Sequence, residues 1–364
     1  MPQNDPVLRA IAALAERRDL PATLAAQAFG QVMAGEATPT LMSALLMGLR
    51  VKGETAQELQ GAALALREVM VRVNPRNTDR LVDTCGTGGG SIATFNISTA
   101  AAFVAAGAGA RVAKHGNRSF STRSGSADVL EALGVAIDLP PDRSAALLDK
   151  CGMTFLFAPR YHPAMRHVGP VRRELALGTI MNLIGPLSNP AGVARQVVGA
   201  GDPARAPLLA ETLGLLGAEH ALVVHAPRGL DEIAPPGLGP TEVWEVRGSS
   251  VRRWTLNAES FGLAAGDAAA LAGGSPADNA RVCEAILDGS DSGVRRSAVV
   301  LTAAAALVVG GVATDWEDGV ARAGSPAPTT CLATPAGLDR GPIRFMIVPR
   351  ASSRRTGPTK RIAG

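Results

Sequence analysis

From Arg80 onward, short apolar runs alternate with helix-like stretches, and glycine-rich segments sit where the two meet. The strand-like runs are Leu81–Asp83, Arg111–Lys114, Thr154–Phe157, Gln196–Ala200, Ala221–His225 and Glu242–Val246. Between most of them lie stretches with helical spacing: Ala100–Ala108, Ala127–Leu133, Arg143–Lys150 and Arg205–Leu216. Such alternation is satisfied by a mainly parallel sheet with helices packed on it. Leu175–Asn189 is less regular, and residues 278–310 read as two late helices.

Residues 1–72 differ, because only helical periodicity is found there. Asp5-Pro6 is an N-cap followed by proline at the first helical position, and Val7, Leu8, Ile11, Leu14 and Ala15 recur at helical spacing. Thr38-Pro39 repeats that start signal before Leu41, Leu45, Leu46 and Leu49, Gly53 ends that helix, and Glu58–Met70 is amphipathic. The apolar faces exceed what so small a unit can bury alone. Either a second copy of the chain or the rest of the molecule covers them, and a homodimer through this domain is the expectation carried forward.

The expected class is therefore α/β: a small all-helical N-terminal domain over residues 1–72 and a larger α/β domain over residues 73–324. A chain of 364 residues is long enough for both. Aromatics make up 3% of it, with Tyr161 the single tyrosine, so small and aliphatic side chains must pack the core. The net charge of +4 is spread along the chain instead of gathered in basic runs. That balance suits an anionic small molecule and gives no nucleic-acid footprint. No apolar run reaches the length of a membrane span, and no secretory signal precedes the first helix. Cys85, Cys151, Cys283 and Cys331 are scattered without metal-site or disulfide spacing. A reducing, cytoplasmic compartment is the simplest setting.

Two glycine-rich segments carry the chemistry. Gly86-Thr87-Gly88-Gly89-Gly90-Ser91 leads into Thr94-Phe95-Asn96-Ile97-Ser98-Thr99, and Lys114-His115-Gly116-Asn117-Arg118-Ser119 follows. Glycines let backbone N–H groups approach an anion, and the helix behind the first segment offers free N–H groups and a positive dipole end. Ser98 and Thr99 add hydroxyls, and Lys114, His115 and Arg118 add positive charge. Ligands of open α/β sheets gather beyond the carboxyl ends of the strands. Three strand ends would thus converge, the third bringing Asp231-Glu232, whose adjacent carboxylates suit a hard cation such as Mg²⁺. The ligand expected there is a multiply charged phosphate.

The order and length of these motifs resemble the anthranilate phosphoribosyltransferase family, whose pattern reads GTGGDG, TFNIST, KHGNR and GSAD. Ser124-Gly125-Ser126-Ala127-Asp128 matches the last of these, and likeness continues through His162-Pro163-Ala164-Met165, Pro170-Val171-Arg172, Asn182-Leu183 and Asn189-Pro190 to Gly229-Leu230-Asp231-Glu232. The resemblance implies a fold like that of nucleoside phosphorylases and class II phosphoribosyltransferases, with a segment at about 170–190 returning to the helical domain. It implies phosphoribosyl pyrophosphate as donor, anthranilate as acceptor and Mg²⁺ as cofactor. It assigns substrate binding to Gly86, Gly89, Gly90, Thr94, Asn96, Ile97, Ser98, Thr99, Lys114, His115, Gly116, Asn117, Arg118, Ser119, Ser126 and Arg172, and metal binding to Ser98, Asp231 and Glu232.

No Ser-His-Asp or Cys-His arrangement is recognisable. The amine of anthranilate is already neutral at pH 7, so positioning and electrostatics suffice. His115, Asn117 and Arg172 are the candidates for that work; Arg172 matches a carboxylate with its planar fork. His162 is expected near the same pocket. Two departures from the family pattern stand out. Gly90-Ser91 replaces Asp-Gly, which removes a carboxylate beside the pyrophosphate, and Gly178-Thr179 replaces Arg-Thr. A transferase for another aromatic amine, or a noncatalytic relative, are the alternatives. The tail over 325–364 is rich in proline and ends in basic residues, and is expected to be loosely held.

Overall fold

The computed structural model describes residues 5–88, 90–119 and 124–325, together with the backbone of 331–333 and 345–347. Gly89 and most of the basic tail lie outside the described residues.

Four helices open the chain: α1 (Pro6–Ala15), α2 (Ala22–Ala34), α3 (Pro39–Lys52) and α4 (Ala56–Val69). The starts of α1 and α3 are capped as the sequence predicts, whereas α2 begins after Pro21 without a side-chain cap. The Asp5 carboxylate accepts from the N–H groups of Val7 and Leu8, at 2.8 and 3.2 Å, and Thr38 Oγ1 accepts from Leu41 N–H at 3.3 Å. Thr55 and Glu58 form a reciprocal capping box on α4. The same Glu58 carboxylate also accepts from Leu20 N–H at 2.9 Å and pairs with Lys52 at 3.1 Å. A fully buried carboxylate thereby ties the α1–α2 connection to α4.

The remainder is a seven-stranded sheet in the order β3-β2-β1-β4-β5-β6-β7. Strands β1 (Leu81–Gly86), β2 (Arg111–Gly116), β3 (Met153–Phe157), β4 (Arg195–Gly199) and β5 (His220–His225) are parallel. The hairpin of β6 (Thr241–Arg247) and β7 (Ser250–Leu256) closes one edge antiparallel to them. Between strands run α5 (Ile97–Gly107), α6 (Ser126–Ala132), α7 (Pro141–Cys151), α8 (Ala158–Tyr161), α9 (Met165–Leu175) and α10 (Ala206–Leu215). The irregular stretch after α9 holds one short 3₁₀ turn, Ile180–Asn182, capped by Thr179. The late helices are α11 (Pro276–Leu287) and α12 (Val294–Val309). A third, α13 (Trp316–Gly324), is capped by Asp315 and follows the two late helices read from sequence. Beyond it the backbone pairs β8 (Cys331–Ala333) with β9 (Phe345–Ile347).

Two large cores form on opposite faces of the sheet. One packs α5, α11 and α12 against Val82, Val112, Val197 and Leu222. The other is continuous from Val7, Leu45 and Leu66 through α9 to Leu209, Leu213, Val223 and Trp244. The surplus apolar faces of the first helices are thus covered in part by α10 and the sheet. No helix among the described residues is long and apolar enough to cross a membrane. Cys85 and Cys283 are free thiols, but Cys151 is disulfide-bonded, so the expectation of four reduced cysteines fails at that position.

Candidate active site

The chain runs β1, β2, β3 outward in one direction and then returns to place β4 on the other side of β1. At such a switch point the connections leave in opposite directions and a crevice opens beyond the strand ends. A cavity of about 830 Å³ lies there, lined by the ends of β1, β2 and β4, by the N-terminus of α5, by α9, and by Asp231 and Glu232.

Gly199, at the end of β4, was not singled out by sequence. A Cβ there would lie 1.6 Å from the Asp231 carbonyl oxygen, so only glycine lets the 230–232 segment cross the strand end. Nothing in a single sequence marks that approach. The glycine-rich loop after β1 is folded onto the same corner. Thr87 N–H donates to Gly199 O at 2.8 Å and Ser91 N–H to Gly229 O at 3.2 Å. A Cβ at Gly90 would sit 2.6 Å from Gly229 O. The glycine that replaces the family's aspartate is therefore in close contact with the 227–229 turn, and it does not line the cleft.

Lys114 is buried on β2; its Nζ donates to the Thr84 carbonyl and, at 3.4 Å, to Ser98 Oγ. Burial lowers its pKa, against the raising influence of Asp83, Cys85 and Glu232. Asp83 is pushed up to about 6 by burial, although Lys114 and the bonds from Asn189 Nδ2 (2.8 Å) and His115 N–H (3.1 Å) favour its charge. Asn189 also donates to Ala113 O at 2.8 Å, locking β1 to β2 behind the cleft.

His115 and His162 meet at 3.2 Å between their Nε2 atoms. Burial holds His115 down at about 3, with the neighbouring His162 adding to it, and burial holds His162 at about 4. Both rings are neutral at pH 7, so His115 supplies no positive charge there. Arg118 supplies less than its sequence suggests. Its guanidinium pairs with Glu131 and, at 3.1 Å, with Asp128 on α6. Burial was the missing signal for the histidine, and the acidic face of α6 was the missing signal for the arginine.

Asn117, on the cleft wall, accepts at Oδ1 from Arg118 N–H at 2.7 Å, and its carbonyl accepts from Ser126 Oγ at 3.2 Å. Arg172, on α9, is half-buried and pairs with no acidic side chain among the described residues. Burial lowers its pKa. It is a cation in want of an anion.

Gly86, Asn96, Ser98, Thr99, Lys114, His115, Gly116, Asn117, Arg118, Ser119, Ser126 and Arg172 all line the cavity, as do Asp231, Glu232 and His162. Gly90 and Thr94 do not, and Ile97 is sealed in the core. Thr94 reaches the site only through its hydroxyl, which donates to Glu232 at 3.4 Å. Gly89 lies outside the described residues. Burial raises the pKa of Asp231, and burial with the adjacent Asp231 raises that of Glu232 well above its ordinary value. Two crowded carboxylates of this kind favour a hard divalent cation over either proton. No cluster of three or more His, Cys, Asp or Glu side chains that could hold a metal occurs among the described residues. A cation held here would draw its remaining oxygens from ligand or water.

The family pattern described as "Glycosyl transferase family, a/b domain" matches residues 78–327, and "Glycosyl transferase family, helical bundle domain" matches residues 8–70. An anthranilate phosphoribosyltransferase of Anaeromyxobacter dehalogenans is 51% identical over 317 residues, covering 87% of this chain and 93% of that relative. The crystal structure of the Thermus thermophilus anthranilate phosphoribosyltransferase superposes with a TM-score of 0.81 at 40% identity, over 88% of this chain and 93% of that one. The Saccharomyces cerevisiae enzyme in complex with PRPP and Mg superposes with a TM-score of 0.80 at 26% identity, over 89% and 94% of the two chains. Its complex with 4-fluoroanthranilate gives 0.78 at 26% identity, over 88% and 92%. By fold, by motif and by identity over most of its length, the chain belongs to the anthranilate phosphoribosyltransferase family.

Proposed function

We infer that this chain transfers the phosphoribosyl group of phosphoribosyl pyrophosphate to the amine of anthranilate, giving N-(5-phosphoribosyl)anthranilate and pyrophosphate, a step of tryptophan biosynthesis. One observation carries the acceptor assignment. Arg172 stands half-buried without an acidic partner among the described residues, on the same cleft that holds the α5 N-terminus and the Asp231–Glu232 pair. A planar fork of that kind matches the carboxylate of an aromatic acid.

The donor fits the opposite wall. The α5 N-terminus with Ser98 and Thr99 supplies N–H and hydroxyl donors to phosphate oxygens. Thr99 Oγ1 is buried without a hydrogen-bond partner and is free to donate. Lys114 steadies the negative charge through the Ser98 hydroxyl it touches. Asp231 and Glu232, with Ser98, would hold Mg²⁺, which supplies charge stabilisation to the departing diphosphate. Asn117 Nδ2 orients the acceptor. The C1–O bond to pyrophosphate breaks, the amine nitrogen takes its place on C1, and the ammonium proton then leaves. No side chain needs to act as a strong base, and the neutral His115–His162 pair is suited to shaping the pocket. The reading also includes cytoplasmic location, a homodimer through the helical layer, where Val51 on α3 is 76% exposed, and division into residues 1–72, 73–324 and 325–364 with 170–190 returning to the helices.

The test is an assay of the purified chain with phosphoribosyl pyrophosphate, Mg²⁺ and a panel of aromatic amines, following loss of anthranilate fluorescence. In Arg172→Ala we expect the anthranilate KM to rise and kcat/KM to fall roughly ten- to a hundredfold, the equivalent of about 1.5–3 kcal/mol for a charged hydrogen bond. The donor KM should stay nearly constant. Turnover of another amine in preference to anthranilate would redirect the acceptor assignment, and an unchanged anthranilate KM in the variant would remove Arg172 from the site.

A further inference from the structure

Asn96 lies on the cleft wall at the N-terminus of α5, and its side-chain amide is gripped from behind. Its Oδ1 accepts from Asn279 Nδ2 at 2.9 Å and from Ser124 Oγ at 3.2 Å, and its Nδ2 donates to Ser124 O at 3.2 Å. Asn279 does not line the cleft. It sits 2% exposed in the first turn of α11, and its own Oδ1 accepts from Gly274 N–H at 2.8 Å.

That last bond and the bond from Asn96 to the Ser124 carbonyl together decide the arrangement. The two ends of an amide have the same shape and are told apart only by what they meet. A backbone N–H must meet oxygen, so Asn279 turns Oδ1 to Gly274 and Nδ2 to Asn96. Asn96 must then turn its own oxygen inward. Its Nδ2 carries two hydrogens, and Ser124 O takes one. The second has no acceptor among the described residues, and Asn96 itself lines the cleft. The backbone is pinned in the same place: Phe95 N–H donates to Leu271 O at 3.0 Å and Gly273 N–H to Ala93 O at 2.9 Å.

We propose that Asn279 is a positioning residue for the phosphoribosyl donor: it holds the Asn96 amide so that an N–H, and not a carbonyl oxygen, faces the anionic ligand. This rests on the donor site read above. Reversal of the amide would turn lone pairs toward a polyanion and lose a donor at once.

The experiment compares Asn279→Asp with Asn279→Ala. The aspartate keeps shape and the bond from Gly274, but sets an oxygen against Asn96 and so favours the reversed amide. The Kd and KM for phosphoribosyl pyrophosphate should rise about tenfold in Asn279→Asp and less in Asn279→Ala. The anthranilate KM at saturating donor should stay within about twofold. A structural role alone would lower Tm and raise both KM values together. An unchanged donor KM in folded Asn279→Asp overturns the proposal. If neither variant folds, the wild-type chain decides: the Asn96 side-chain amide protons must shift on adding phosphoribosyl pyrophosphate in a ¹⁵N-resolved spectrum, and indifference overturns the proposal. Wild-type protein without donor-dependent turnover would sink the functional reading itself, whereas active wild type with an unaffected Asn279→Asp sinks only the role of Asn279.

Discussion

Glu58 in the helical layer and Glu232 in the cleft are both drawn into the molecule, and they are provided for in opposite ways. Glu58 is sealed off and meets donors on every side: the N–H groups of Leu20 and Thr55 and the Lys52 ammonium. Glu232 stands at the cleft wall with the Thr94 hydroxyl at 3.4 Å, Lys114 acting on it only through space, and a second carboxylate next to it. Burial and the adjacent Asp231 outweigh those two partners, and its pKa rises for that reason. A carboxylate surrounded by donors holds a fold together. One that is crowded by another carboxylate and opens on a cavity fits the proposed role of holding a cation with the ligand.

The sharpest way to break this contrast is to neutralise each partner. Asp231→Asn/Glu232→Gln should lose Mg²⁺-dependent turnover by on the order of a thousandfold or more, while near-native circular dichroism persists. Wild-type rates in the folded variant would end the metal assignment. Glu58→Ala should do the reverse. Urea unfolding should show a loss of about 3 kcal/mol, because two N–H groups and a lysine lose their acceptor. Its kcat/KM per folded molecule should remain within about twofold of wild type. A variant that loses activity but no stability would erase the distinction between the two sites.

The smallest expected effect concerns protons. Asp231 and Glu232 have folded pKa values raised above their unfolded ones. Without metal their contribution to stability is therefore full below the ordinary carboxylate range and is lost as pH rises through the folded values. Tm measured in a chelator from pH 5 to 8 should fall more steeply for wild type than for the double variant. Mg²⁺ binding should release protons wherever the pair still holds them, seen as a buffer-dependent heat in calorimetry. Equal slopes and no proton release would mean that the pair is already ionised and the contrast with Glu58 is one of burial only.

Much of this was legible in the chain. Asp5-Pro6 and Thr38-Pro39 mark helix starts by local chemistry, which sequence displays directly. The five parallel strands were legible because each holds a short apolar run bounded by turn or helix signals, with polar residues such as Asp83 and Lys114 confined to a few positions. β7 was not: Ser250–Leu256 carries Arg252 and Arg253 on an exposed edge, where charge guards against pairing and hides the strand. Its hairpin signal, Gly248 at positive φ, was there to be read. So was the Asp315 cap before Glu317 and Asp318 that starts α13. What sequence does not display is who meets whom in space. The neutrality of His115, the capture of Arg118 by α6, the need for glycine at 199 and the grip of Asn279 on Asn96 all depend on partners distant along the chain.

The shared core has a consequence for synthesis on the ribosome. Leu45, Leu59 and Leu66 belong to one core with Val198, Val223 and Trp244, which emerge roughly 130 or more residues later. At about 5–20 residues per second the first four helices wait on the order of 10 s with one apolar face uncovered. During that interval the nascent chain exposes apolar surface of the kind that holding chaperones bind, and slow codons placed between residues 70 and 200 would lengthen its exposure.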